Sequence, residues 1–483
     1  MRKKSLGLNA FLNGLRSVLN IIFPVITFPY VSRVLGVGEI GKYNFSNSFV
    51  QYFILIAGLG IATYAVREGA KFRGDRQKLN YFASQVFSIN ILSTVVSYAI
   101  LFLCLLFFNK LHAYLASILI FSIQIIFTTL GTEWIYTIFE EYTYITVRSI
   151  VFKIISIIAL FIFVRHQGDY LNYAAITVFS AVGSNILNYL HAKKFCSIRL
   201  TFQIEWSKHM KPIMVIFAST VATTIYLSLD TTLLGLMKND YVVGIYSVST
   251  KVYNIVKNLI AAVLTVTIPR FALLLGRNKV REFRKLLLQI SDVLALLSIP
   301  TAVGVFMLAP QIVLILSSQK YIRAVTSLRL LCPALVFSIF SWIFTSCVLI
   351  PAKRENKVLI ITVISALINL ILNLLLIPSL KENAAAITTS LSEAISMALG
   401  MYYSRDIIKG IYKKDFWKDV LLYTTGALSI VIICSAGNIL FDSTMLIILF
   451  NVTLSIIEYA LILLGMKNKY ALDALECILA RLK

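Results

Sequence analysis

The stretch LGVGEIGKYNFSNSF (residues 35–49) returns, altered, as LGLMKNDYVVGIYSVSTKV (residues 234–252). Gly41-Lys42-Tyr43-Asn44-Phe45-Ser46 aligns with Gly244-Ile245-Tyr246-Ser247-Val248-Ser249 at an offset of 203 positions (244 − 41). Leu35-Gly36 matches Leu234-Gly235 when the second loop carries four extra residues. G-x-Y-x-x-S is a short pattern. Its weight comes from its place, since each copy opens an apolar run, the second and the eighth of the chain, in the same direction. That spacing predicts two six-span bundles with two further spans appended.

The class follows from composition. Over 483 residues, 59% are hydrophobic and only 14% charged, with a mean hydropathy of +0.84; a soluble globule does not look like this. Apolar runs of about 20 residues, each long enough for ~30 Å of hydrocarbon, recur from end to end. They lie at roughly 10–32, 44–66, 81–108, 114–137, 149–165, 172–191 and 212–236. The others are 243–268, 288–316, 326–350, 358–378, 385–404, 420–439 and 445–464. The expected fold is an all-α polytopic membrane protein of about fourteen transmembrane helices. Residues 1–211 form an N-lobe, 212–404 a C-lobe and 405–483 the appended pair with a tail.

The net charge of +23 raises the question of nucleic acid, and its distribution argues against it. With the opening MRKK in the cytoplasm, the basic connections REGAKFRGDRQK, HAKKFCSIRLTFQIEWSKHMK, RFALLLGRNKVREFRK, PAKREN and RDIIKGIYKKDFWK all fall inside. Those segments and the tail hold about 32 Lys and Arg against about 8 outside, which is the positive-inside rule and puts both termini in the cytoplasm. The basic loops set topology and touch anionic lipid. Six cysteines show neither CxxC nor a Cys/His cluster, so no disulfide framework and no metal site is expected. No cleavable signal is evident.

Polar residues recur on single faces of the spans. On span two, Asn44, Asn47 and Gln51 stand at i, i+3 and i+7. The repeat carries them onto Ser247, Thr250 and Asn254 of span eight, with Lys251 beside them. Span one shows Asn9, Asn13, Arg16 and Asn20, and span seven Ser219, Thr223, Tyr226 and Asp230. Polar groups facing lipid lose their hydration, so such stripes point into the protein or towards water. For any one side chain, helix–helix hydrogen bonding is the plainer account. For aligned stripes on four helices of two repeats, a hydrated cavity is the better one.

Ionisable residues within spans are the sharpest pointers. Arg16 either snorkels to the headgroups or joins the asparagine stripe. Asp230 and Lys251 fall at similar depth on antiparallel helices, where a structural ion pair is the ordinary reading and a switchable one the functional reading. Lys257 lies nearly two turns deeper on span eight. Glu393 sits midway along span twelve and Glu458 deep in span fourteen. Asp292 is near enough to the end of span nine to be solvated. The candidate cavity cations are Arg16, Lys251 and, if it faces inward, Lys257, the candidate cavity amides Asn13, Asn20, Asn47, Gln51 and Asn254, and the coupling candidates Asp230 and Glu393. No Walker A sequence, nucleophile–base pair or large extramembrane loop points to an enzyme.

Three stretches carry a family likeness: FPYVSRVLGVGEIGKYNFSNSFVQYFILIAGLGIATYAVREGAK (28–71), GTEWIYTIFEEYTYITVRSIVFKIIS (131–156) and ISALINLILNLLLIPSLKENAAAITTSLSE (364–393). The chain resembles the bacterial polysaccharide-transporter branch of the multidrug/oligosaccharidyl-lipid/polysaccharide exporter superfamily, flippases for O-antigen, capsule and exopolysaccharide repeat units. The resemblance implies two six-helix lobes around a cavity that opens alternately to each side of the bacterial cytoplasmic membrane. It implies a cargo of oligosaccharide joined through diphosphate to undecaprenol, coupling to H+ or Na+ without a bound cofactor, and work beside a polysaccharide polymerase and a chain-length regulator. One departure is Asn383-Ala384-Ala385-Ala386, where that branch commonly has Gly-Ala-Ala. Two other readings stand beside the flippase: a cation-coupled multidrug exporter of the same superfamily, and a membrane-embedded polymerase or scaffold of glycan assembly.

Overall fold

The computed structural model describes residues 22–472, the side chains of Thr265 and Val266 excepted. Arg16, Asn13 and Asn20 lie outside those residues. Among the described residues, twelve helical spans are long and apolar enough to cross a membrane. The two other expected spans are also helical. One is α1 (Ile22–Val34); the other is broken at Gly183–Ser184 into α8 (Tyr170–Val182) and α9 (Asn185–Ala192). Every one of the fourteen apolar runs thus carries a helix.

Packing divides the chain into two compact units, Met1–Gly244 and Ile245–Lys483. The first holds α1, α2 (Val37–Gly58), α3 (Ile61–Gly69), α4 (Arg76–Phe107), α5 (Leu115–Gly131), α6 (Glu133–Ile138), α7 (Tyr142–Phe163), α8, α9 and α10 (Trp206–Met237). α11 (Asp240–Gly276) begins there and runs on into the second unit. That unit continues with α12 (Val280–Met307), α13 (Ala309–Leu316), α14 (Ala324–Trp342), α15 (Glu355–Leu380), α16 (Glu382–Ile408), α17 (Lys414–Leu440) and α18 (Thr444–Gly465). α10, the first helix of the second sequence repeat, packs against α2 and α3 of the first unit.

The repeated glycines explain themselves at once. A Cβ on Gly41 would fall on the carbonyl oxygen of Asp240, and one on Gly244 on that of Val37, both far inside van der Waals contact. Val37 and Asp240 are the first residues of α2 and α11 and stand at the same offset of 203 (240 − 37). The contact is therefore reciprocal: each helix start lays its backbone on the glycine of the other, an approach that only a missing side chain permits. Gly235 does the same for α10, where a Cβ would run into the Phe45 ring.

The rest of the motif is used inside each unit. Ser46 shares a hydrogen bond of 2.6 Å with Ser117 of α5, and Ser249 one of 2.7 Å with Ser327 of α14. Tyr43 donates to Thr177 of α8 at 3.1 Å, and Tyr246 pairs with Thr389 of α16 at 3.4 Å. Both repeats interrupt their fourth span at matching places. In the first, Thr132 takes φ 42° between α5 and α6; in the second, α14 passes into a π-helical turn at Ile343–Leu349, a form that absorbs one extra residue.

Local signals set the remaining ends. Asp75 caps α4 by accepting from the N–H groups of Gln77 and Lys78 at 3.1 and 3.0 Å; those bonds, the Lys78 one foremost, hold its carboxyl below the usual range. Asn239 accepts the Val242 N–H at 3.1 Å at the start of α11. Leu59 (φ 46°) and Gly60 (φ 73°) bend the second span. A Cβ on Gly60 would meet Ile216 of α10 at 2.8 Å. Near that bend His209 of α10 is bracketed by the Tyr64 hydroxyl at 2.7 Å and Gln85 Oε1 at 2.6 Å, tying α3, α4 and α10 together. One expectation is overturned. Asp292 is buried, not solvated, because α17 covers it and Tyr423 donates to its carboxylate at 2.9 Å.

Gly41→Val and Gly244→Val should each cost about 3 kcal/mol or more, since the added atoms meet backbone that cannot move aside. Gly304→Ala, in a helix interior with nothing within 4 Å, should be neutral or stabilising. Thermal unfolding of the three purified variants in one detergent checks this, and equal stabilities would deny the crossing.

Candidate functional site

Among the described residues, the most buried ion pair lies within the second unit. Lys257 of α11 and Glu393 of α16 form an ion pair of 2.9 Å, with side chains 19% and 7% exposed. Tyr253, one turn before Lys257, completes it: its hydroxyl is 3.4 Å from Glu393 Oε1 and 3.3 Å from the Lys257 ammonium. The hydroxyl can donate to the carboxylate and accept from the ammonium together. The ammonium also lies 5.4 Å from the centre of the Tyr253 ring. A cation and an anion expected separately, one for cargo and one for coupling, are thus each other's partner.

The stripes take up distinct positions. On α2, Asn44, Asn47 and Gln51 are all half-buried, and Gln51 donates to Asn47 at 3.4 Å, so these two share a face. Asn44 donates back to the Ile40 carbonyl at 2.8 Å. Tyr43, Phe45, Ser46 and Val50 of the same helix are buried. On α11, Thr250 and Lys251 are half-buried and Asn254 is exposed. On α10, Ser219 and Thr223 are exposed, Tyr226 half-buried and Asp230 buried. Asp230 belongs to the first unit and Lys251 to the second.

Two polar groupings escaped the sequence reading. Tyr253 offered no signal beyond standing four residues before Lys257. In α15 and α16, Asn373 donates to Asn369 at 3.1 Å and accepts from Thr388 at 2.9 Å, all three buried. Two asparagines four apart in an otherwise apolar run were the available clue. The other intramembrane charges have structural partners. Arg148 reaches Glu133 at 3.0 Å, and Glu458 accepts from Ser429 at 2.6 Å.

The second unit also holds an apolar groove of ≈ 820 Å³ among α12, α17 and α18, walled by side chains such as Leu297, Val305, Ile430, Ile456 and Leu463. Its chemistry suits a hydrocarbon chain. The ion-paired cluster suits anionic or hydroxyl-bearing groups. The two kinds of surface occur in one unit.

Comparison with known proteins bears on the family and the fold. A family model described as polysaccharide biosynthesis protein matches residues 6–275, and one described as MatE matches residues 215–375. A putative O-antigen transporter of Escherichia coli (strain K12) is 23% identical over 272 residues. That match spans 54% of this chain and 64% of the relative, less than two thirds of its length. In fold, the chain is similar to the lipid II flippase MurJ in an inward closed conformation, with a TM-score of 0.74 at 16% identity over 95% of this chain and 100% of the other. It is also similar to an inward-facing multidrug resistance MATE family transporter, with a TM-score of 0.64 at 14% identity over 83% and 96% of the two chains. Since the first family model covers more than half of its residues, this chain belongs to the polysaccharide biosynthesis protein family, and its many long apolar helices make it a multi-pass membrane protein.

Proposed function

We propose that the protein moves an undecaprenyl-diphosphate-linked oligosaccharide repeat unit from the cytoplasmic to the outer leaflet for surface polysaccharide synthesis. The observation that carries this reading is the Tyr253–Lys257–Glu393 cluster. Two opposite charges held mostly out of water are expensive in solvation, and a cluster of that kind inside a transporter has a use when its partners can be exchanged. The incoming diphosphate competes with Glu393 for Lys257. Once displaced, Glu393 takes up a proton or a sodium ion, which links cargo binding to the ion gradient. Arg16 and Lys251 add positive charge for the diphosphate, with Asp230 as a second coupling group. Asn13, Asn20, Asn47, Gln51 and Asn254 supply amides to sugar hydroxyls. The apolar groove accommodates the polyprenyl chain while the head group crosses.

The multidrug-exporter alternative rests on the MatE match over residues 215–375, the stretch that contains Lys251 and Lys257. A drug-efflux assay separates the two.

Leaflet-resolved labelling of lipid-linked oligosaccharide, in cells lacking the gene and no second flippase, should show repeat units retained on the cytoplasmic side until the gene is restored. An unchanged distribution would refute the cargo assignment. Lys257→Met should lower stability by about 3–5 kcal/mol, because it strands a buried carboxylate. Lys257→Met combined with Glu393→Leu should recover most of that stability yet fail to clear labelled units. Full transport by the double variant would make the pair purely structural.

A further inference from the structure

Between α9 and α10 the chain runs without a helix from Lys193 to Glu205. Charge alone reads this connection as a basic loop on the cytoplasmic side. Its backbone follows a defined path. The N–H groups of Ser197, Arg199 and Thr201 donate to Asn80 Oδ1, Ser84 Oγ and Ser88 Oγ of α4 at 2.8, 3.1 and 2.9 Å. Alternate residues of an extended segment, ~6.6 Å apart, are matched to every fourth residue of a helix, ~6 Å apart. The segment is zipped along α4 as a strap. At its end the Glu205 N–H donates to Gln85 Oε1 at 3.3 Å, the same oxygen that holds His209.

The side chains of the strap make a bow. Ile198 and Ile204 are packed against the hydrophobic core of the first unit. Between them, Leu200 is 66% exposed and Phe202 102%, the highest value for any large hydrophobic among the described residues. Arg199 is exposed beside Leu200, and Lys193, Lys194 and Lys208 are exposed on either flank. The α4 stripe explains what the crest faces. At the same four-residue spacing, Asn80, Ser84 and Ser88 give way to Leu92, Val96 and Ile100, all three exposed. The stripe is polar for as long as the strap covers it and apolar from the next turn onward. The strap therefore ends where the hydrocarbon-facing surface begins.

We infer that this strap is an interfacial anchor. Leu200 and Phe202 insert at the headgroup–acyl boundary of the leaflet on the basic face, and Arg199 with its neighbouring lysines binds anionic phosphates there. Aromatic and aliphatic tips flanked by Lys and Arg are the composition of that boundary. The occupant is lipid rather than a protein partner, because the patch is continuous with the lipid-facing side of α4 and carries the charge of a lipid-binding surface. The strap thereby holds the connection between the two sequence repeats in the plane of the membrane, and with it the start of α10.

The test uses the full chain in vesicles of phosphatidylethanolamine and phosphatidylglycerol, with a nitroxide on Phe202→Cys or on Leu200→Cys and unsubstituted protein labelled in parallel as background. Collision with oxygen, which partitions into lipid, should exceed collision with a water-soluble nickel chelate several-fold relative to the same label on Lys193→Cys. A ratio equal to that of the Lys193→Cys label would place the crest in water and overturn the proposal. Low collision with both reagents would mean that protein covers the crest, and would overturn it equally. Adding Asn80→Ala and Ser84→Ala should free the strap and narrow the nitroxide line at position 202; an unchanged line would deny the zipper.

Discussion

The reciprocal seating of α2 and α11 on each other's glycines governs much else. Two helix starts that touch through backbone cannot slide past each other without a clash, so the residues that open α2 and α11 are set together within the first unit. G-x-Y-x-x-S shows how. At 100° per residue, Tyr and Ser fall ~200° and ~140° around the helix from the glycine. The glycine face therefore meets the other helix start while Tyr and Ser point back into the helix's own bundle. There they find Thr177 and Ser117 in one unit, and Thr389 and Ser327 in the other. The motif is an architectural one, and it orients the face that bears Asn44, Asn47 and Gln51.

How much of this could be read in advance depended on the range of the interaction. Spans were legible because apolar length is a property of the chain alone, and the repeat was legible because both copies use the same residues at the same step. Partnerships were not. Lys257 and Glu393 are 136 positions apart and sit on helices whose relative rotation no spacing encodes. Asp292 was misplaced for a similar reason: counting from the helix end measures depth in the bilayer but takes no account of α17, whose Tyr423 closes over the carboxylate. The breaks lie between these extremes. Gly58-Leu59-Gly60 advertises a bend, whereas Thr132 with a positive φ and the π-turn after α14 depend on neighbours that stabilise them. Of the site residues, the N-terminal three lie outside the described structure; among the others Lys257 and Glu393 form an ion pair and Asn47 and Gln51 an amide pair.

Polar stripes in the spans carry two different meanings, and what satisfies them tells the meanings apart. The α4 stripe of Asn80, Ser84 and Ser88 has the spacing of a binding face, yet each of these side chains accepts a backbone N–H from the strap. It is consumed by the fold. The α2 stripe bonds within its own helix, Asn44 to Ile40 and Gln51 to Asn47, and remains half-buried. A group that bonds within its own helix keeps capacity for a further partner, because an amide has two donors and two acceptor positions. Such residues persist in a membrane helix where water, a polar ligand or a neighbouring helix meets that capacity. By that criterion the α2 amides fit the proposed transport path, and the α4 stripe the scaffold that keeps α10 in place beside it.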